Sequence, residues 1–221
     1  MTTRRTALSV TALSTTAVTA TPAHAMAEAS APLVRDLRDR SGRGPRTLRF
    51  GPRDLVVVTG LPGSGKSTLM RRAVHGVRVD SQDTRDRWDA RLAAHLPYAL
   101  YRPLVRLAHF ATLRRALRCG AALVVHDCGT QRWVRAWLAR AARRRGATLH
   151  LVLLDVTPAI ALTGQLARGR AVSRHAFRRH RRTTTDLLRT LERDTLPSGC
   201  GSATLLDRTA ATHLHHIEFG P

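Results

Sequence analysis

Residues 55–74, LVVVTGLPGSGKSTLMRRAV, constrain this chain more than any other stretch. The β-branched run 55–59 reads as a strand buried on both faces, and the residues after the lysine are helix formers. Between them stands G-x-x-x-x-G-K-[ST], the spacing at which a backbone wraps around phosphates. Gly60, Gly63 and Gly65 let successive N–H groups face an anion, and the helix N-terminus adds its partial positive charge. The loop is therefore expected to comprise Gly60, Leu61, Pro62, Gly63, Ser64, Gly65, Lys66, Ser67 and Thr68. Lys66 would reach the β- and γ-phosphates of ATP and the Ser67 hydroxyl would take Mg²⁺.

Composition strengthens this reading through one residue. Lys66 is the only lysine in 221 residues; the other 36 of the 37 Lys and Arg side chains are arginine. Where charge alone matters, arginine serves. A niche between phosphates needs a compact point charge on a flexible stem, and arginine's planar fork does not fit it. The net charge of +22 favours polyanionic partners without naming one. Aromatic residues make up only 4%, which leaves few platforms for stacking unpaired bases. Cys119, Cys128 and Cys200 are odd in number and far apart, so neither a zinc site nor a disulfide framework is expected. No 18-residue apolar stretch occurs, and no membrane span is expected.

Arg4 and Arg5 precede a mild Ala/Ser/Thr segment ending in AHA at Ala25, the order of an export signal. Six of the fourteen residues 7–20 are Ser or Thr, and an ATP-dependent enzyme needs the cytoplasm. A cytoplasmic protein is expected, with Met26 an alternative start and export the competing reading. Residues 26–48 offer little to bury. The expected organisation is an N-terminal extension over 1–48, a nucleotide-binding domain over 49–210 and a C-terminal tail over 211–221.

Four further strands are expected, over 77–79, 121–126, 148–154 and 203–206, each followed by an aspartate: Asp80, Asp127, Asp155 and Asp207. Helical stretches at about 84–96 with 102–118, 131–145 and 158–195 separate them. Alternating strands and helices imply an α/β, three-layer, doubly wound and mostly parallel sheet of about five strands, with ligands at the strands' carboxyl ends. Asp127, delivered by the apolar run AALVVH, is the candidate for holding Mg²⁺ or its water. Asp155 and Asp207 read as turn formers, and His126 and Cys128 as packing residues. In SRHAFRRHRR (173–182), Arg174, Arg178 and Arg181 share one helical face, with Phe177, Leu188 and Leu191 on the core side.

From about Asp54 to Arg182 these pieces resemble the small P-loop kinase-like proteins that include polynucleotide 5′-kinases and zeta-type toxins. The carriers are GLPGSGKST, DSQDTR (80–85), VVHDCGTQRWVRAWL (124–138) and LARGRAVS (166–173). The resemblance implies that Arg168 is a lid arginine clamping the transferring phosphoryl group, with Arg170 assisting. It matches Arg85 to the arginine of an acidic D-x-x-R segment and places Arg132 or Arg135 within reach of substrate or phosphates. Two positions depart from the family. Gln82 stands where the D-x-x-R aspartate would accept the acceptor's proton, and glutamine cannot be a base. Asp83, which can turn into the vacated space from an irregular loop, is expected to take that role ahead of Asp80, which at the strand end could instead orient a Mg²⁺-bound water. Gly164 stands where the lid helix often carries another arginine.

The expected function is transfer of the γ-phosphoryl of ATP to a hydroxyl of a small molecule or a nucleic-acid end. A nucleotide-binding regulatory module with decayed transferase activity, or a basic nucleic-acid-binding ATPase, are the alternatives.

Overall fold

The computed structural model describes residues 33–126, 131–167 and 173–220. The chain runs β1 (Val34–Asp36), β2 (Thr47–Phe50), β3 (Leu55–Gly60), α1 (Lys66–Ala73), β4 (Arg78–Val79), α2 (Ser81–Leu92), α3 (Tyr98–Arg118) and β5 (Leu123–His126). It continues through α4 (Arg132–Arg144), β6 (Leu149–Leu154), α5 (Pro158–Leu166), α6 (Arg174–Leu191), β7 (Ser202–Leu206), α7 (Arg208–His213) and β8 (His216–Phe219). Six strands form one sheet in the order β1-β7-β6-β3-β5-β4, and every neighbouring pair is parallel.

Alternation along the strands sorts the core into two layers, as the period of two requires. Leu55, Val57, Leu123, Val125, Leu149, Leu151, Leu153, Ala203 and Leu205 face one side, against Leu113 of α3, Val134 and Leu138 of α4 and Leu187 and Leu191 of α6. Val56, Val58, Val124, Val152, Leu154 and Leu206 face the other, against Leu69 and Met70 of α1 and Ala210 and Ala211 of α7. All six residues of β3 are buried because helices cover both faces. From β3 the chain fills one flank (β4, β5) and later the other (β6, β7). The carboxyl end of β3 is thus the switch point where such sheets take ligands.

Three expectations change. The sheet has six strands, not about five, because the lead-in supplies β1: Val34 pairs with Ala203 and Asp36 with Leu205. Leu37 and Leu48 are buried in the core, and β2 pairs in parallel with β8. The described residues within 33–220 therefore belong to one compact unit, which takes in the end of the expected extension and the expected tail. Second, the stretch 158–195 holds two helices. Ser173 starts the second one, its side chain accepting from the Ala176 N–H. Third, residues 81–83 are not an irregular loop. Asp80 N-caps α2, accepting from the Gln82 N–H at 2.8 Å, so Asp83 lies in the helix's first turn.

Candidate nucleotide site

The glycine-rich loop leaves β3 at Gly60 and enters α1 at Lys66. Gly60, Gly63 and Gly65 have φ of 144°, 87° and 99°, the backbone region open to glycine. Neighbours fix the loop's outer side. Leu61 is buried in a small cluster with Val156, Ala161 and Phe177. Gln165 of α5 donates to the Pro62 carbonyl at 3.0 Å. A Cβ on Gly164 would collide with the Gly63 carbonyl, and one on Gly63 with that of Ala161. Gly164, the apparent departure from the family pattern, is where α5 comes into direct backbone contact with the loop; an arginine there would push the two apart.

Lys66 is 5% exposed, more enclosed than a residue at an open cleft. Its ammonium donates to the Gly60 carbonyl at 2.9 Å and the Leu61 carbonyl at 2.8 Å. Ser67 is buried beside it at the start of α1. Against the loop lies a cavity of about 310 Å³, between Thr68 of α1, Ile160 and Ala167 at either end of α5, and Arg208 and Thr212 of α7. Its loop side, Gly63, Ser64, Gly65 and Thr68, was expected from sequence; the lining from α5 and α7 carries no sequence signal, since it comes from separate helices.

Two strands along the same edge, Asp80 follows β4 and is buried. Its Oδ1 lies 3.1 Å from Nδ1 of His126, the last residue of β5, which also lies 2.8 Å from the Ser81 Oγ. Asp80 Oδ2 is buried with no hydrogen-bond partner among the described residues. His126, read as packing from sequence, is thus the neighbour that orients Asp80. Its position at a strand end beside an aspartate is the signal that could have found it. His109 of α3, buried nearby, is held below its usual range by burial, partly countered by the Asp80 charge.

Asp83 is half-exposed, and its Oδ2 lies 3.8 Å from the Nε of Arg78. Arg85 points to the α2–α3 junction: its Nε donates to Asp89 at 3.3 Å and its guanidinium lies over Tyr98 at 3.9 Å. Arg132 and Arg135 lie in the first turn of α4 and line a groove of about 890 Å³ between α4 and α6. Burial holds Arg135 below its ordinary pKa. Asp127, Cys128, Arg168 and Arg170 lie outside the described residues. Asp207 caps α7 through the Ala210 N–H, as a turn-forming residue does, whereas Asp155 accepts from Arg38, 117 residues away, in a tertiary ion pair.

A doubly wound parallel sheet with this loop at its switch point is the P-loop fold, with the loop where such sheets take their ligands. A family model described as AAA domain matches residues 55–193, and the chain belongs to that family. No curated protein matches the chain. Among solved structures, the PezAT toxin–antitoxin system of Streptococcus pneumoniae aligns at 16% identity and TM-score 0.44, over 58% of this chain and 57% of that one. The Pnkp1/Rnl/Hen1 RNA repair complex aligns at 18% and 0.47, over 66% and 47%. A gluconokinase from Sinorhizobium meliloti 1021 aligns at 18% and 0.42, over 75% and 93%. The chain thus spans about half the length of the first two.

Proposed function

We propose that this protein is an ATP-dependent phosphotransferase that moves the γ-phosphoryl group to a hydroxyl acceptor. The observation that supports this reading is a juxtaposition on one sheet edge. The glycine-rich loop with its buried lysine and a buried carboxylate, Asp80, stand two strands apart at the carboxyl ends of the same sheet, and one Asp80 oxygen is bonded by no described residue. In this account the triphosphate replaces the Gly60 and Leu61 carbonyls as the partner of the Lys66 ammonium, and the nucleoside end occupies the cavity between α1, α5 and α7. Little covalent chemistry falls to the protein in such a transfer; positioning and charge neutralisation carry it.

The donor set at this edge suits Mg²⁺, a hard cation taking oxygen ligands. Ser67 would hold it, with Asp127 as the sequence candidate for the second ligand; when bound, it neutralises charge on the β- and γ-phosphates. Asp80 is the better-supplied proton acceptor. His126 and the Gln82 N–H hold its Oδ1, leaving Oδ2 for the acceptor hydroxyl, whereas Asp83 is turned toward Arg78. Arg168 would clamp the phosphoryl group, with Arg170, Arg132 and Arg135 as further phosphate or substrate contacts.

The test is incubation with γ-labelled ATP and Mg²⁺ against panels of hydroxylated metabolites and 5′-hydroxyl oligonucleotides. Label is expected to appear on an acceptor, with ADP formed in equal amount. Gln82, at the position of the family's usual aspartate, favours a second reading, a binding module without transfer. ATP binding with no labelled acceptor and no ADP would support it and overturn the first.

A further inference from the structure

At the amino ends of the central strands, away from the glycine-rich loop, five arginines from three separate segments converge on one cavity of about 590 Å³. Arg53 comes from the turn before β3, Arg114 and Arg118 from the end of α3, and Arg144 and Arg145 from the end of α4. No carboxylate among the described residues lines it, and Trp137 of α4 forms part of its wall. The glycine-rich loop contributes nothing to it, so whatever binds here does so independently of the proposed phosphotransfer.

Arginine is common in this chain, and the last turn of a helix is a favourable place for it. Each helix end supplies roughly half a negative charge. Asp54 also acts on Arg145, though its oxygens already accept from the Gly51 and Thr148 N–H groups and face His150. Five guanidinium charges outweigh these, leaving roughly three in excess by the same half-charge reckoning. Arg145 carries the sharpest sign of the imbalance. Its Nη1 donates to the Ala121 carbonyl at 3.0 Å, while Nε and Nη2 are buried with no partner among the described residues. A charged group desolvated beside like charges is costly unless an anion joins it. Burial, and after it the Arg53 charge, push the Arg145 guanidinium below its ordinary pKa.

We infer that this cavity is a second anion site, for a ligand carrying a short polyphosphate chain. Its volume falls within the range of ligand pockets, about 300–1,000 Å³. The planar guanidiniums offer paired donors to phosphate oxygens. Such a chain could come as free inorganic polyphosphate or as part of a nucleoside polyphosphate, in which case Trp137 offers a face to the base.

The test is calorimetric titration of inorganic tripolyphosphate into the full-length chain, its Lys66→Ala variant, and two double variants with equal charge loss. Arg114→Gln/Arg118→Gln empties part of the cavity at exposed positions with no ion pair among the described residues. Arg178→Gln/Arg181→Gln removes two exposed charges from α6. Tripolyphosphate should still bind the Lys66→Ala protein. Binding to that protein should weaken tenfold or more, on the order of one charge-assisted contact per arginine, when the α3 pair is added. The α6 pair should leave it unchanged. Equal losses from both pairs would show attraction to the overall +22 charge and overturn the site. Loss of all binding in Lys66→Ala alone would also overturn it. In the Lys66→Ala protein, ATP binding more tightly than tripolyphosphate, with the gain removed by Trp137→Leu, identifies a nucleoside polyphosphate. Equal affinities identify the inorganic chain. If the α3 pair lowers the melting temperature, Arg53→Gln, on a separate segment, must reproduce the loss for the site to stand.

Discussion

Asp80 and Asp83 lie three residues apart and have opposite surroundings. Asp80 is enclosed, its Oδ1 facing His126 and the Gln82 N–H and its Oδ2 without a described partner. Asp83 is half-exposed, in the first turn of a helix where a carboxylate suits the macrodipole, and faces Arg78. If Asp80 takes the acceptor's proton, Asp80→Asn should lower turnover by about 10² to 10⁴, the contribution of a positioned general base. Asp83→Asn should change it less than about fivefold on that same scale. Steady-state rates with the acceptor found by label transfer decide this. A larger loss at Asp83 would return the role to the residue favoured by the DSQDTR pattern. Gln82 was legible as a departure in the sequence. Asp80 and Asp83 were both legible as replacements; the difference in their surroundings was not, because the capping geometry that encloses Asp80 depends on where α2 begins.

Among the elements, β6 is tied to its neighbours at the foot of the sheet by one polar cluster. Asp54 accepts from the Thr148 N–H at 2.8 Å and the Gly51 N–H at 2.7 Å, and lies 2.9 Å from His150 Nε2, while His150 Nδ1 lies 2.8 Å from the Ser202 Oγ. Burial pushes the Asp54 carboxyl up, but these partners outweigh it and hold it below the usual 3.8. A depressed folded-state pKa means stability that is complete above the ordinary carboxylate value and lost as pH falls through the folded one. Asp54→Ala should therefore destabilise the fold at neutral pH by about 1–2 kcal/mol, since the Gly51 and Thr148 N–H groups and His150 lose their shared acceptor at a part-buried to exposed site. The difference from the parent should begin to shrink as pH drops below about 4, where the unfolded carboxyl protonates, and go on shrinking as pH falls through the lower folded-state value. Denaturant melts across pH measure it; a difference that persists unchanged at pH 2–3 would contradict the assignment.

At the scale of the whole molecule, the sheet's centre was readable and its rim was not. Strands β3, β5, β6 and β7 announce themselves as apolar runs because both faces are covered. The edge strand β1 is Val34-Arg35-Asp36, with one buried residue, and no periodicity can appear in so short a run. What fixes it is distant in sequence: it pairs with β7, and Arg38 just after it reaches Asp155 and Glu192 at 2.8 and 3.0 Å. The site divides the same way. The loop residues were legible because phosphate binding imposes a fixed local spacing, whereas His126, Gln165 and the cavity against α7 depend on packing between segments. A chain beginning at residue 49 should consequently melt lower than one beginning at residue 26. It forfeits burial of Val34, Leu37 and Leu48, worth about 1.5–3 kcal/mol each. Equal melting temperatures would mean that β1 and β2 contribute nothing to the fold.

The central claim is that Lys66 is the phosphate ligand of a nucleotide site, kept as lysine because shape as well as charge is required there. Calorimetric titration of Mg²⁺-ATP into the parent, Lys66→Ala and Lys66→Arg tests it most directly, with circular dichroism confirming that each variant is folded. The account predicts binding by the parent and a loss in both variants of about tenfold or more, since a charge-assisted contact contributes about 1.5–3 kcal/mol. The arginine variant should fare no better than the alanine one, because its planar fork cannot take the buried place now bonded to the Gly60 and Leu61 carbonyls. Undiminished ATP affinity in Lys66→Arg would contradict it.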